Sequence, residues 1–106
     1  MVIDQYNVYW IDLNPTLGSE VNKVRPCVVL SPDEMNHNIK TIIIAPVTST
    51  IRPYPSRVFC EIEGKRGAIM IDQIRTIDKQ RIKSLIGKLP EAERQKIREV
   101  INSMLC

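Results

Sequence analysis

Residues 57–77 read RVFCEIEGKRGAIMIDQIRTI, and this stretch decides the fold class. Arg57–Glu63 is rich in residues that suit a pleated strand. It runs into Gly64-Lys65-Arg66-Gly67, a polar segment with a glycine at each end that reads as a hairpin turn. Ala68–Ile71 and Gln73–Ile77 carry the strand pattern on. A hairpin followed by more strand, with no helical period, points to an antiparallel sheet.

Upstream, the same character repeats. Asn7–Leu13 (NVYWIDL) is β-branched and aromatic and stops at Asn14-Pro15. Cys27–Ser31 (CVVLS) is bounded by Pro26 and Pro32. Thr41–Thr48 (TIIIAPVT) is apolar enough to be covered on both faces, and Pro46 near its end implies a bulge or an edge. Three loops are long for hairpins: Asn14–Arg25, Pro32–Lys40 and Ser49–Ser56. Long loops on a small rigid scaffold commonly carry function.

Downstream, the pattern changes. Pro90 suits the start of a helix, and Glu91 and Glu93 follow at its positive end. Ile97, Val100, Ile101, Met104 and Leu105 then recur at helical spacing. Between them, Lys79–Leu89 reads two ways. Ile82, Leu85, Ile86 and Leu89 fit a helical period, while Gly87 weakens it. Short strands closed by one terminal helix predict a mainly β fold, a small curved antiparallel barrel.

The chain's 106 residues leave room for one domain, 1–106, with one core. A hydrophobic share of 43% and a charged share of 25% are those of a globular protein. The formal charge is +3, unevenly spread. Residues 1–50 hold three bases and five acids, whereas residues 51–106 hold twelve bases and seven acids. A basic half-chain points toward a polyanion. Three cysteines with no CxxC spacing give neither a disulfide framework nor a zinc site, and fit a reducing cytoplasm. The opening MVIDQYNVYW lacks a basic stretch followed by an apolar one, so no secretory signal is read, and no apolar run approaches a membrane span.

Much familiar chemistry is missing. The single histidine, His37, lies in a polar loop between Asn36 and Asn38, which suits a surface position. There is no Walker loop, no GxGxxG, no GxSxG and no HExxH. Three polar clusters remain. Gly18-Ser19-Glu20 precede Arg25, which stands where a loop meets a strand; a guanidinium there offers a planar fork to phosphate, or pairs with Glu20. Thr48, Ser49 and Thr50 end a strand in three hydroxyls. Asp72–Asp78 places Gln73 and Arg75 two apart, on one face if the segment is a strand.

Taken together, GSEVNKVRPCVVLSP (18–32), APVTST (45–50) and DQIRTIDKQR (72–81) resemble the MazF family of toxin endoribonucleases, related to PemK and Kid. The resemblance runs from near Tyr9 to the terminal helix. It implies an SH3-like barrel, a homodimer, and metal-independent, cofactor-free cleavage of single-stranded RNA in a groove along the dimer interface. It also implies a MazE-like antitoxin whose acidic tail fills that groove. Arg25 and Thr48 match the family's catalytic arginine and hydroxyl. Ser19, Glu20 and Gln73 match positions lining the groove, where Leu17, Ser49, Tyr54 and Arg57 are also expected to meet RNA. Glu20 is a candidate proton acceptor. In this family Asp78–Arg81 is a short helical turn and the segment around Ser84–Lys88 is a strand. One departure stands out: the PemK/Kid branch carries an arginine where this chain has Met70, although Asp72 is kept. This favours an Arg25–Thr48 pair. A CcdB-like gyrase poison and a non-catalytic nucleic-acid-binding barrel are the rival readings of the same pattern.

Overall fold

The computed structural model describes residues 2–13 and 24–106. Among them seven strands form one curled antiparallel sheet: β1 Asn7–Asp12, β2 Val24–Val29, β3 Thr41–Thr48, β4 Arg57–Ile62, β5 Lys65–Met70, β6 Arg75–Asp78 and β7 Ile82–Lys88. The strand path is β4-β5-β3-β2-β1-β7, with β6 also on β3. Its two ends stay apart, so the expected small barrel is a half-barrel. A short helix, α1 (Asp33–Asn38), follows β2, and the predicted terminal helix is α2, Glu91–Leu105. No helix among the described residues is long and apolar enough to cross a membrane.

The sheet is apolar on both faces because its central strands alternate between two cores. Val8, Val28, Ala45 and Val47 face one core with Val58, Ile69 and Ile97. Tyr9, Ile11, Cys27, Val29, Ile42 and Ile44 face the other with Ile77. Helix α2 closes the first core through fully buried Ile97, with Val100 and Ile101 packed beside it. Met104 and Leu105, expected on that same face, are exposed at the helix end.

Several sequence expectations need correction. The hairpin turns on Glu63-Gly64 rather than on Gly64–Gly67, since Ile62 pairs with Lys65 and both turn residues have positive φ (52° and 76°). That is the two-residue turn whose twist matches a β-ribbon. Gln73 belongs to a 3-10 turn, Ile71–Gln73, so it does not alternate with Arg75 on a strand. The loop Pro32–Lys40 contains α1, in which only Met35 is apolar. Buried Asn36 holds it by donating to the Ser31 carbonyl at 2.8 Å, while Ser31 Oγ accepts from the Ile43 N–H at 3.0 Å. A long-range polar clamp of this kind leaves no period in the sequence.

The ambiguous segment resolves as the family resemblance implies, into a 3-10 turn Lys79–Arg81 and then β7. Its pairing with β1 skips a residue twice, between Val8 and Tyr9 and between Trp10 and Ile11. Each bulge shifts the inward positions along the strand, and the resulting spacing mimics a helix. Pro46 lies where β3 changes partner on one side, from β6 at Thr41–Ile44 to β5 at Val47–Thr48.

Candidate active site

Strands β2 and β3 run antiparallel with Cys27 opposite Pro46, Val28 opposite Ala45 and Val29 opposite Ile44. Continued by two residues, that register sets Arg25 opposite Thr48. Alternation puts Arg25 on the face of Cys27 and Val29, and Thr48 on the face of Ile42 and Ile44. Those four belong to one core, so the guanidinium and the hydroxyl issue from the same face. Arg25 is the second residue of β2, where pairing with Ile11 of β1 fixes its backbone.

Among the described residues, neither group is tied up by an ion pair. Thr48 Oγ1 accepts the Thr50 N–H at 3.1 Å, so its own O–H remains to donate. Among the described residues the ion pairs are His37–Asp4, Arg57–Asp72, Arg94–Glu91 and Arg98–Glu91, and none involves Arg25. Beneath Arg25 lies the Cys27 thiol. Burial pushes it up to about 12, against the opposing pull of the Arg25 and Arg75 charges. Cys27 is therefore a neutral floor and not a nucleophile. Its two cationic neighbours make this end of the sheet a place for an anion.

A cleft of about 420 Å³ lies at this end of the sheet, lined by Trp10, Pro26, Val47 and the tip of the β4–β5 hairpin, including Lys65 and Arg66. Arg25 and Thr48 border it from strands whose alternation turns Pro26 and Val47 to one face and these two to the other. Gly67 is needed where the hairpin crosses β3, because a Cβ there would come within 3.0 Å of Val47 Cγ1 and 3.1 Å of the Thr48 carbonyl oxygen. Sequence reasoning missed Trp10, Lys65 and Arg66. In β1, Trp10 alternates with Tyr9 and so lies on the sheet face opposite the core that holds Tyr9.

The remaining expected residues fall elsewhere. Arg57 Nε donates to Asp72 Oδ1 at 2.8 Å and Nη2 to Oδ2 at 3.2 Å. Ser56 Oγ donates to the same carboxylate at 3.0 Å. The Arg57 guanidinium lies 5.0 Å from the ring centroid of exposed Tyr54. The Arg57 fork, ahead of Ser56, holds the Asp72 carboxyl below its ordinary range, and Asp72 in turn raises Arg57. Arg57 is thus occupied by a carboxylate, whereas Arg25 has none among the described residues. Gln73 is exposed beside this cluster in sequence. Leu17, Ser19 and Glu20 lie outside the described residues.

Residues 4–105 match the family described as PemK-like, MazF-like toxin of type II toxin-antitoxin system. This chain belongs to that family. Endoribonuclease EndoA of Bacillus subtilis (strain 168) is 35% identical over 112 residues, spanning 100% of this chain and 97% of that protein. The fold superposes on MazF of Deinococcus radiodurans with a TM-score of 0.83 at 28% identity, covering 99% of this chain and 97% of that one. A MazE–MazF structure from the same organism gives a TM-score of 0.86 at 28% identity, covering 99% and 96%.

Within the PemK/MazF family, the Met70 departure acquires a structural meaning. Met70 is buried, and its register partner is Arg57 on β4. Asp72 therefore receives its arginine from the neighbouring strand. His37 is at the surface as expected, though at the end of α1 rather than in a loop, and contacts Asp4 at 3.0 Å. With Asp33 these form the one group of three possible metal ligands among the described residues. Asp33 also accepts the Gln5 N–H at 2.7 Å, so the group ties the N-terminal segment to α1.

Proposed function

We propose that this chain is the toxin of a type II toxin–antitoxin system and an endoribonuclease that cuts single-stranded RNA through the RNA's own 2′-OH. The observation that carries the reading is the placement of Arg25 across from Thr48 when the β2–β3 register is continued, with no carboxylate on Arg25 among the described residues. The RNA supplies the nucleophile, so the enzyme has two tasks. It holds the 2′-OH in line with the leaving 5′-oxygen, and it stabilises the charge that builds on the phosphoryl oxygens. Arg25 donates two parallel hydrogen bonds to that phosphate and Thr48 a third. Arginine stays protonated, so the proton acceptor is another group, for which Glu20 of the same motif is our assignment. Cleavage is metal-independent in this reading: the described residues lining the cleft offer one carboxylate, Glu63, and no histidine or cysteine, fewer ligands than a two-metal site requires.

The active form is a homodimer in the cytoplasm, restrained by a MazE-like antitoxin. Membership of a toxin–antitoxin family and the likeness to MazF in a MazE–MazF structure support the antitoxin. The test is an oligonucleotide with one deoxyribose on the 5′ side of the scissile phosphate. It should bind and resist cutting, whereas the all-RNA strand yields a 2′,3′-cyclic phosphate and a free 5′-OH. Cutting of the chimera at the rate of the RNA would overturn the reading. Gyrase inhibition with no RNA cleavage would replace it with a CcdB-like activity.

A further inference from the structure

The row that contains Arg25 and Thr48 continues across the sheet. Thr48 pairs with Ala68 on β5, and Ala68 pairs with Phe59 on β4. Directly opposed residues share a face, so Arg25, Thr48, Ala68 and Phe59 form one line. Phe59 is the chain's single phenylalanine and is 54% exposed. One exposed apolar side chain needs no explanation by itself. The position of this one does. Two strand spacings, about 10 Å, separate its backbone from that of Thr48. The residue between is Ala68, whose methyl puts no bulk of its own between hydroxyl and ring. Alternation also puts Arg57 on this face, two residues before Phe59, with its guanidinium over exposed Tyr54. Glu61 flanks the ring on the other side and is exposed. The ring therefore has a cation on one side and an anion on the other, on the face that carries the Arg25–Thr48 pair.

We propose that Phe59 is the platform on which the nucleobase adjoining the scissile phosphate stacks. The proposal rests on the endoribonuclease reading above. With the phosphate held at Arg25 and Thr48, a strand laid along the row brings a neighbouring base over Phe59. The phosphate beyond it then runs away from Glu61, on the side of the Asp72-paired Arg57. An aromatic face accepts any base, so Phe59 contributes affinity and registers the strand, leaving sequence selection to groups that read base edges.

The test measures binding of the uncut deoxy chimera by fluorescence anisotropy, with light scattering in parallel. Phe59→Ala should weaken binding roughly 5- to 150-fold and leave the dimer intact. Phe59→Tyr should stay within about 3-fold, and Phe59→Leu, which keeps apolar area without a π-face, should fall between. An abasic nucleotide placed beside the scissile position should weaken binding to wild type but add little in Phe59→Ala. Full additivity of the two changes would overturn the platform. So would unchanged binding by Phe59→Ala, or a Phe59→Ala protein that becomes monomeric, which would make the ring a contact between copies. Wild-type protein that stacks the chimera on Phe59 yet cuts no RNA would keep the platform and overturn the cleavage reading alone.

Discussion

Two arginines sit on one face of the sheet and differ in what holds them. Arg57, on edge strand β4, is locked by two hydrogen bonds to Asp72 and lies against Tyr54. Arg25, on interior strand β2, has a rigid backbone and no carboxylate partner among the described residues. A satisfied guanidinium shapes its surroundings, whereas an unsatisfied one on a fixed strand has its full fork for a ligand. The difference separates a residue that organises the surface from the one we propose acts on RNA.

The comparison is broken most directly at Arg25. Arg25→Ala should lower RNA cleavage at least 10²- to 10³-fold, roughly what the loss of one preorganised donor to a transition-state oxygen costs. The circular dichroism spectrum should not change. Arg25→Lys should also be badly impaired, because a point charge cannot replace the fork. Near-normal turnover by the lysine variant would move the role to another cation, with Arg75 next. Thr48→Val should follow, with a loss of about 10- to 100-fold, while Thr48→Ser keeps the hydroxyl and most of the rate. Equal losses in both variants would mean that the methyl, not the O–H, matters.

At the other arginine the effect should be on stability. Asp72→Asn should cost about 0.5–1 kcal/mol at neutral pH, since the pair is near the surface. The Asp72 carboxyl is held below its ordinary range in the folded protein. Its contribution is therefore fully present above the unfolded value, about 3.9, and is lost as pH falls through the lower folded value. The melting-temperature gap between wild type and Asp72→Asn should be flat from about pH 5 to 8 and close in stronger acid. A gap that instead closed between pH 6 and 7 would point to a histidine. The smallest effect belongs to the thiols. Burial pushes Cys27 to about 12 and Cys60 to about 11, while Cys106 is exposed. A thiol reagent at pH 8 should label Cys106 alone, and cleavage should persist both after labelling and in EDTA. Labelling of Cys27 in the native protein would show that the floor under Arg25 opens.

Much of this architecture was legible in the chain. β-branched runs mark β1, β3 and β4, because such side chains suit a pleated surface packed on both faces. Proline, acids and a helical period mark α2. Spaced motifs carry the family and nominate Arg25 and Thr48. Errors arose where local pattern and three-dimensional context disagree. Bulges in β7 made a strand look helical. The Ser31–Asn36 clamp made a helix from a polar loop. The hairpin turned one residue earlier than its glycines suggested.

By itself, then, the sequence determined which segments extend, which one coils, and which residue types are available for phosphate. A strand's alternating period is local, so the chain states which neighbours share a face. Register is not local. Only pairing between strands far apart in sequence sets Arg25 across from Thr48, continues that row through Ala68 to Phe59, and gives Arg57 to Asp72. A slip of one residue would send each side chain to the opposite face. That dependence on non-local hydrogen bonding is why the tertiary structure, and not the motif, decided which arginine is held by a carboxylate among the described residues.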